Sequence, residues 1–256
     1  MFTSQQSTGV SDYQDLSKLI QEKTFDKLVE NVNIEKRFKI IDIGCGTGNN
    51  SYKLSKLIGN EGKVVATDPI KERIEKSKEL YNSPNLHFEV AFGSECPKFG
   101  IDFDLAVSST VLHWIPPDQK LPTFKGIFDS LGNGSEFVFN TLKLNTLNLS
   151  PISSKLSSSS STMSNYHPST QAELESLARQ AGFNQVDIKE VEVIIPLPSV
   201  DHYYRWYACS VHVENYDAVL KEFRDLKNTN EELACLHDDK GQVIYKHTYF
   251  YGYCRK

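Results

Sequence analysis

Residues 38 to 50 read Phe38-Lys39-Ile40-Ile41-Asp42-Ile43-Gly44-Cys45-Gly46-Thr47-Gly48-Asn49-Asn50. Ile40, Ile41 and Ile43 form a β-branched run suited to a buried strand. Glycines follow at 44, 46 and 48, and a helical pattern starts at Ser51. The stretch therefore predicts strand, tight turn and helix. Glycine has no Cβ and tolerates positive φ, so such a turn at the carboxyl edge of a parallel sheet lets the backbone come close to a small ligand.

The neighbouring residues narrow the ligand. A dinucleotide site calls for Gly-x-Gly-x-x-Gly with the helix N-terminus facing a pyrophosphate. Here the third glycine comes one residue early and Asn49 stands where the last one would be. Lys63-Val-Val-Ala-Thr-Asp68 predicts a second strand, and its terminal carboxylate lies twenty residues beyond Gly48. A carboxylate so placed can accept hydrogen bonds from both hydroxyls of a ribose. An adenosine without a diphosphate fits this pattern best.

Ile41-Asp-Ile-Gly-Cys-Gly-Thr-Gly, followed by Val65-Ala-Thr-Asp-Pro, resembles the cofactor signature of the class I S-adenosylmethionine-dependent methyltransferases. The resemblance implies a Rossmann-like α/β fold with a seven-stranded, mostly parallel sheet of order 3-2-1-4-5-7-6. The last strand is expected to be antiparallel, with helices on both faces and a helical cap insertion. It also implies S-adenosylmethionine as cofactor, with S-adenosylhomocysteine as product. Cofactor contacts are expected at Asp42, Gly44, Cys45, Gly46, Gly48, Asp68 and Pro69. Ser94 is added where relatives often carry an Asp for the adenine amino group, and Ser109 where relatives tend to have Asn.

Asp104 to Ser109 predicts a fourth strand beside the first, so the residues just after it face both cofactor and substrate at the topological switch point. Val111-Leu-His-Trp-Ile115 is similar to the Leu-His-Trp segment of the trans-aconitate and insect juvenile hormone acid methyltransferases, both of which esterify carboxylic acids. Trp114 offers an indole N–H, and His113 either a neutral donor or a cation. Residues 12 to 32 have helical periodicity, with Lys23-Thr24 a candidate break and Tyr13 and Gln14 at the start. By the same resemblance Gln14, His113 and Trp114 orient the acceptor. Tyr13, and Tyr203, Arg205 and Trp206 from the aromatic run His202-Tyr-Tyr-Arg-Trp-Tyr207, are substrate-binding candidates.

The 256 residues suit one domain, read as an N-terminal helical segment (1–35), a cofactor-binding core (36–142), a Ser-rich loop (143–169) and a helical cap insertion (199–238). Phe92-Gly-Ser-Glu95 follows a third strand starting at Leu86, and Cys96 to Ile101 is expected to be connecting loop. A helix from Asp118 and a strand from Glu136 continue the alternation. A helix ending at Ala181-Gly-Phe183, a strand over 186–195 and a final alternating stretch from Gln242 close the pattern. A second cap helix is expected over 217–227.

A net charge of -5 and no long basic cluster argue against a nucleic-acid footprint and favour a small-molecule partner. Five cysteines without Cys-x-x-Cys spacing suggest neither a metal site nor a disulfide framework. A polar N-terminus and no membrane-length apolar run point to a cytoplasmic protein. A carboxylate acceptor is already ionised at neutral pH, with a pKa of about 4, and needs no general base. A phenol, amine or activated carbon would instead give His113 that role. A cofactor-binding protein without catalysis would share the cofactor motifs.

Overall fold

The computed structural model describes residues 10–143, 166–210 and 237–256. Its centre is one seven-stranded sheet of order β3-β2-β1-β4-β5-β7-β6. The strands are β1 (Lys39–Ile43), β2 (Lys63–Asp68), β3 (Leu86–Val90), β4 (Phe103–Ser109), β5 (Leu131–Leu142), β6 (Gln185–Pro196) and β7 (Ile244–Arg255). β7 runs antiparallel to both β5 and β6, and the pairings among β1 to β5 are parallel. The expected order and the reversed last strand are both present.

The strand sequences explain the two-sided burial. In β1, Ile40 packs into one apolar cluster while Ile41 and Ile43 pack into another, because successive side chains point to opposite faces. The first cluster takes Leu16, Ile20, Phe25 and Leu28 from α1 (Val10–Val29), Leu54 and Ile58 from α2 (Asn49–Ile58) and Ile74 from α3 (Lys71–Leu80). The second takes Phe124 and Ile127 from α4 (Pro117–Ser130) and Leu174 and Ala178 from α5 (Gln171–Ala181). A parallel sheet covered by helices on both faces needs strands that are apolar on both sides, and β1, β2 and β4 are.

Helix boundaries follow from local chemistry. α2 begins after Gly48, held at φ 86. α5 begins at Thr170, whose hydroxyl accepts from the Glu173 N–H at 3.2 Å while the Glu173 carboxylate accepts from the Thr170 N–H at 2.7 Å. It ends at Gly182 in the left-handed region, φ 119.

Three local expectations are corrected. α1 continues through Lys23-Thr24, because the Thr24 hydroxyl donates back to the Ile20 carbonyl at 2.9 Å and satisfies itself inside the helix. Gly93–Phe99 is a 3-10 helix where connecting loop was expected from Cys96. Gly126 of α4 lets the Gly93-Ser94 backbone lie so close that a Cβ there would come within 2.6 Å. β5 starts at Leu131, ahead of the expected Glu136, and pairs there with Phe103 across a register shift.

β6 and β7 pair over twelve residues, but β5 pairs only with Tyr249 to Arg255 of β7. The first five residues of β7 and their β6 partners therefore form a two-stranded ribbon projecting beyond the carboxyl end of β5. α6 (Val200–Ser210) follows β6 and packs Tyr203 and Trp206 against this ribbon and α1. The Ser-rich stretch is described only at its ends, as 144–165 lie outside the described residues. So do 211–236, and with them the cap helix expected over 217–227.

Candidate active site

The glycine turn, Asp68 and the end of β4 meet at the carboxyl edge of the sheet. Gly44, Gly46 and Gly48 have φ of 73, 57 and 86, a region that residues with a Cβ enter at a cost. The Gly44 and Cys45 N–H groups donate to the Thr67 carbonyl at 2.7 and 2.9 Å, tying the ends of β1 and β2 together. A Cβ on Gly44 would lie 2.4 Å from a Val111 methyl, and one on Gly48 2.7 Å from the Phe88 ring. A Cβ on Gly46 would meet nothing within 4 Å. Two of the glycines thus serve packing, and the middle one leaves open space.

Two buried carboxylates flank the turn. Asp42 accepts from the Ser51 hydroxyl at 2.6 Å. Burial pushes its pKa up to about 6, opposed by the Ser51 bond and aided by the negative charge of Asp68. Asp68 is 2% exposed. Its Oδ2 accepts from the Gly46 N–H at 3.0 Å and lies 3.7 Å from the Arg73 guanidinium, while Oδ1 accepts from the Ile70 N–H at 2.9 Å. Burial raises its pKa, against the pull of Arg73 and the two N–H groups. Asp68 therefore holds the entry to α3 and the glycine turn in one place. A carboxylate offers about four lone-pair positions, so hydroxyl donors can be added to these contacts.

Pro69 follows Asp68 and is partly buried. Ser94 is exposed on the 3-10 helix after β3. Cys45 lies in the turn, its thiol pushed well above its ordinary pKa by burial first and then by Asp68 and Asp42. Ser109 ends β4, and its hydroxyl donates to the Asn140 side-chain oxygen at 3.4 Å. The open space over Gly46, the carboxylates at the ends of adjacent strands and the left-handed glycine turn fit an adenosyl sulfonium cofactor.

His113 and Trp114 sit on a short 3-10 turn, Leu112–Trp114, directly after β4. His113 is 1% exposed. Its Nδ1 lies 3.0 Å from the Thr141 hydroxyl and accepts from the Leu142 N–H at 3.4 Å. An amide can only donate, so the ring proton sits on Nε2, which has no hydrogen-bond partner among the described residues. Burial, and secondarily the Lys120 cation, push the His113 pKa down to about 3. This histidine is a neutral donor at physiological pH and a poor proton acceptor.

Tyr166 packs edge-on to both rings, with centroids 5.5 Å from His113 and 5.6 Å from Trp114. Its segment is pinned from two sides. The His167 N–H donates to the His113 carbonyl at 2.7 Å, and the buried Lys120 Nζ donates to the His167 carbonyl and the Ser169 hydroxyl, each at 2.5 Å. Burial lowers the Lys120 pKa. These partners are neutral oxygens, and the negative charge of Glu173 acts against burial to keep the lysine protonated.

The aromatic surface continues onto the ribbon. The Tyr245 ring lies tilted against His247 at 4.1 Å and edge-on to Trp206 at 5.0 Å, and its hydroxyl shares a 2.5 Å contact with that of Tyr249. Tyr203 and Trp206 are buried in this cluster, 5.8 Å apart, and Arg205 is partly buried beside them. Tyr13 and Gln14 lie in the first turns of α1, but their side chains are outside the described residues.

Sequence reasoning missed Asn140, Tyr166, Tyr245 and Tyr249. Tyr166 stands at the edge of a polyserine tract. The other three lie in strands whose alternation marks burial but not the site they border.

Residues 40–134 match the family model described as a methyltransferase domain. That segment is similar to a methyltransferase domain, and the sheet order and the glycine turn agree with the class I S-adenosylmethionine-dependent methyltransferase fold. Among characterised relatives, a malonyl-[acyl-carrier protein] O-methyltransferase of Ilyobacter polytropus is 30% identical over 139 residues, covering 53% of this chain and 49% of that protein. The arsenite methyltransferase of Rattus norvegicus is 26% identical over 114 residues, 40% of this chain and 30% of that one. The chain thus spans half or less of the length of these relatives. Haemonchus contortus phosphoethanolamine N-methyltransferase 2, solved with S-adenosyl-L-methionine, superposes with a TM-score of 0.63 at 13% identity, covering 97% of this chain and 57% of that one. That likeness is one of fold.

Among the described residues no helix is long and apolar enough to cross a membrane, and no group of three or more metal-ligating side chains comes together.

Proposed function

We propose that this protein transfers a methyl group from S-adenosylmethionine to the carboxylate of a small, partly apolar organic acid, forming a methyl ester. The observation that carries the reading is the state of His113. The imidazole after β4 is neutral, with its proton on Nε2 and its pKa near 3, so no base poised for neutral pH stands there. An acceptor that must lose a proton would be poorly served, whereas a carboxylate needs only to be held. The buried Lys120 cation, bonded to neutral oxygens, adds a positive field that favours an anion.

S-adenosylmethionine supplies an electrophilic methyl group on a sulfonium. In this chain Gly44, Gly46 and Gly48 would shape its bed, with Asp68 on the ribose side. Asp42, Cys45, Pro69, Ser94 and Ser109 would complete the cleft. Trp114, His113 and Gln14 would orient the acid, Tyr166 adding a further hydroxyl. Tyr13, Tyr203, Trp206 and Arg205 would border its remainder. The main contribution of these residues is to hold the reacting pair near attack distance, roughly 3 to 3.5 Å, and exclude water. The Ilyobacter relative, named for O-methylation of a malonyl group, supports an oxygen acceptor. A reducing, cytoplasmic setting suits the free thiols of Cys45, Cys96 and Cys254.

The test is transfer of labelled methyl to a panel of aliphatic di- and tricarboxylates, long-chain and isoprenoid acids, phenols and amines. Product that is base-labile and releases methanol supports the ester. Base-stable product from a phenol or amine overturns the carboxylate reading while leaving the cofactor reading intact.

A further inference from the structure

Asn140, on β5, is fully buried, and its side chain joins two parts of the site that are far apart in sequence. Its Oδ1 accepts from the Thr110 N–H at 2.9 Å, the Thr110 hydroxyl at 3.2 Å and the Ser109 hydroxyl at 3.4 Å. Its Nδ2 donates to the Thr24 carbonyl in the middle of α1 at 3.0 Å. Thr110 has a φ of 63, which a β-branched residue adopts only when its surroundings impose it. The next residue, Val111, packs directly over Gly44, where a Cβ would lie 2.4 Å away. An unbroken set of contacts thus runs from the glycine turn through Val111 and Thr110 to Asn140 and then to α1, the helix that carries Tyr13 and Gln14.

We infer that Asn140 is a positioning residue: its amide locks the turn after β4 to α1, so that the acceptor side of the site stays in register with the cofactor side. The inference rests on the methyl-transfer reading above. Other contacts hold α1 independently. Tyr251 donates to the same Thr24 carbonyl at 3.2 Å, Tyr253 to the Leu28 carbonyl at 3.2 Å, and Lys53 pairs with Asp26 at 3.3 Å. Removing the amide should therefore uncouple the helix without detaching it.

Asn140→Asp isolates the link. The new carboxylate can still accept from Thr110 but faces the Thr24 carbonyl with an oxygen. Below its raised buried pKa it takes up a proton and can donate again. The experiment is amide hydrogen exchange of residues 10–29 in the full chain, with and without S-adenosylhomocysteine, alongside calorimetric titration of that ligand.

In the natural protein the ligand is expected to slow exchange over 10–29 by about fivefold or more. In N140D at about pH 8 it should bind within about threefold of the natural affinity while the slowing disappears, and the slowing should return at about pH 5.5. Tyr251→Phe, which removes the neighbouring bond to Thr24, should keep the slowing. With an acid identified by the methyl-transfer screen, N140D should raise the acceptor KM about tenfold and leave the cofactor KM within about threefold.

Ligand that binds the natural protein without changing exchange over 10–29 overturns the inference, whether or not N140D folds. So does N140D that retains the slowing at about pH 8. Failure of S-adenosylhomocysteine to bind the natural protein would overturn the cofactor reading, and this inference with it.

Discussion

His113 and Asp42 are both buried and titratable, and burial drives both toward neutrality from opposite sides. For Asp42 the folded pKa, about 6, lies above the ordinary carboxylate value of 3.8. The folded state therefore carries a charge penalty that is full above about pH 6 and vanishes below the unfolded value. Asp42→Asn keeps an acceptor for the Ser51 hydroxyl and removes the charge. It is expected to raise Tm by about 4 °C at about pH 7.5 and by nothing at about pH 3, read by circular dichroism melts. His113 behaves in the opposite sense: its folded value near 3 lies below the ordinary 6.5, so its contribution to stability is lost as pH falls through that window. Trp114→Phe keeps the aromatic contact with His113 and Tyr166 and loses the indole N–H. It should lower kcat/KM for the acid about tenfold while the calorimetric Kd for S-adenosylhomocysteine changes less than about twofold. Unchanged kcat/KM would remove Trp114 from the site.

The glycine turn shows how one motif serves two ends. Gly44 and Gly46 both adopt positive φ, but only Gly44 is crowded by a neighbour. Gly44→Ala combines backbone strain with a clash against Val111 and should cost about 2–4 kcal/mol of stability in urea unfolding. Gly46→Ala meets no neighbour and should cost about 1 kcal/mol, yet weaken S-adenosylhomocysteine at least about tenfold, because its methyl occupies the ligand's approach. Equal effects of the two substitutions on stability and on binding would contradict this division. The turn itself was legible because three alternate glycines after a β-branched strand have few other uses. That Gly44 packs on Val111 was not, since the two are 67 positions apart and meet only once β4 lies beside β1. Thr24 is the reverse case. Its threonine weakens the local helix signal; the hydroxyl is satisfied by the Ile20 carbonyl, and core packing of Ile20, Phe25 and Leu28 carries the helix through.

At the scale of the whole molecule, α6 and the β6/β7 ribbon stand beyond the sheet proper and are joined to it by aromatic packing. Trp206 lies on Tyr245, His202 contacts the Leu16 carbonyl at 3.1 Å, and β7 continues into its pairing with β5. Continuity of that kind predicts one cooperative transition. The two tryptophans report the two regions, Trp114 the turn after β4 and Trp206 the helix α6 packed on the ribbon. In single-tryptophan variants, Trp114→Phe and Trp206→Phe, urea midpoints from fluorescence and far-ultraviolet circular dichroism should agree within about 0.3 M. An earlier fluorescence transition at Trp206 would make α6 and the ribbon a separate unit.

The sequence by itself determined the glycine turn and its partner Asp68, which are written in local patterns: a β-branched run, alternate glycines, and a carboxylate at a strand end. The sheet order and the reversed last strand were expected only through the family resemblance that those motifs carry. The arrangement around the acceptor was decided by the tertiary structure. Tyr166, Asn140, Tyr245 and Tyr249 come from segments with no common sequence signal, and they converge because β5 ends, and antiparallel β7 and the segment after the Ser-rich stretch begin, at the same edge. The protonation of His113 was decided there too. A histidine in a sequence is equally a base, a cation or a donor, and only its burial, the Leu142 N–H on Nδ1 and the nearby Lys120 make it a neutral donor.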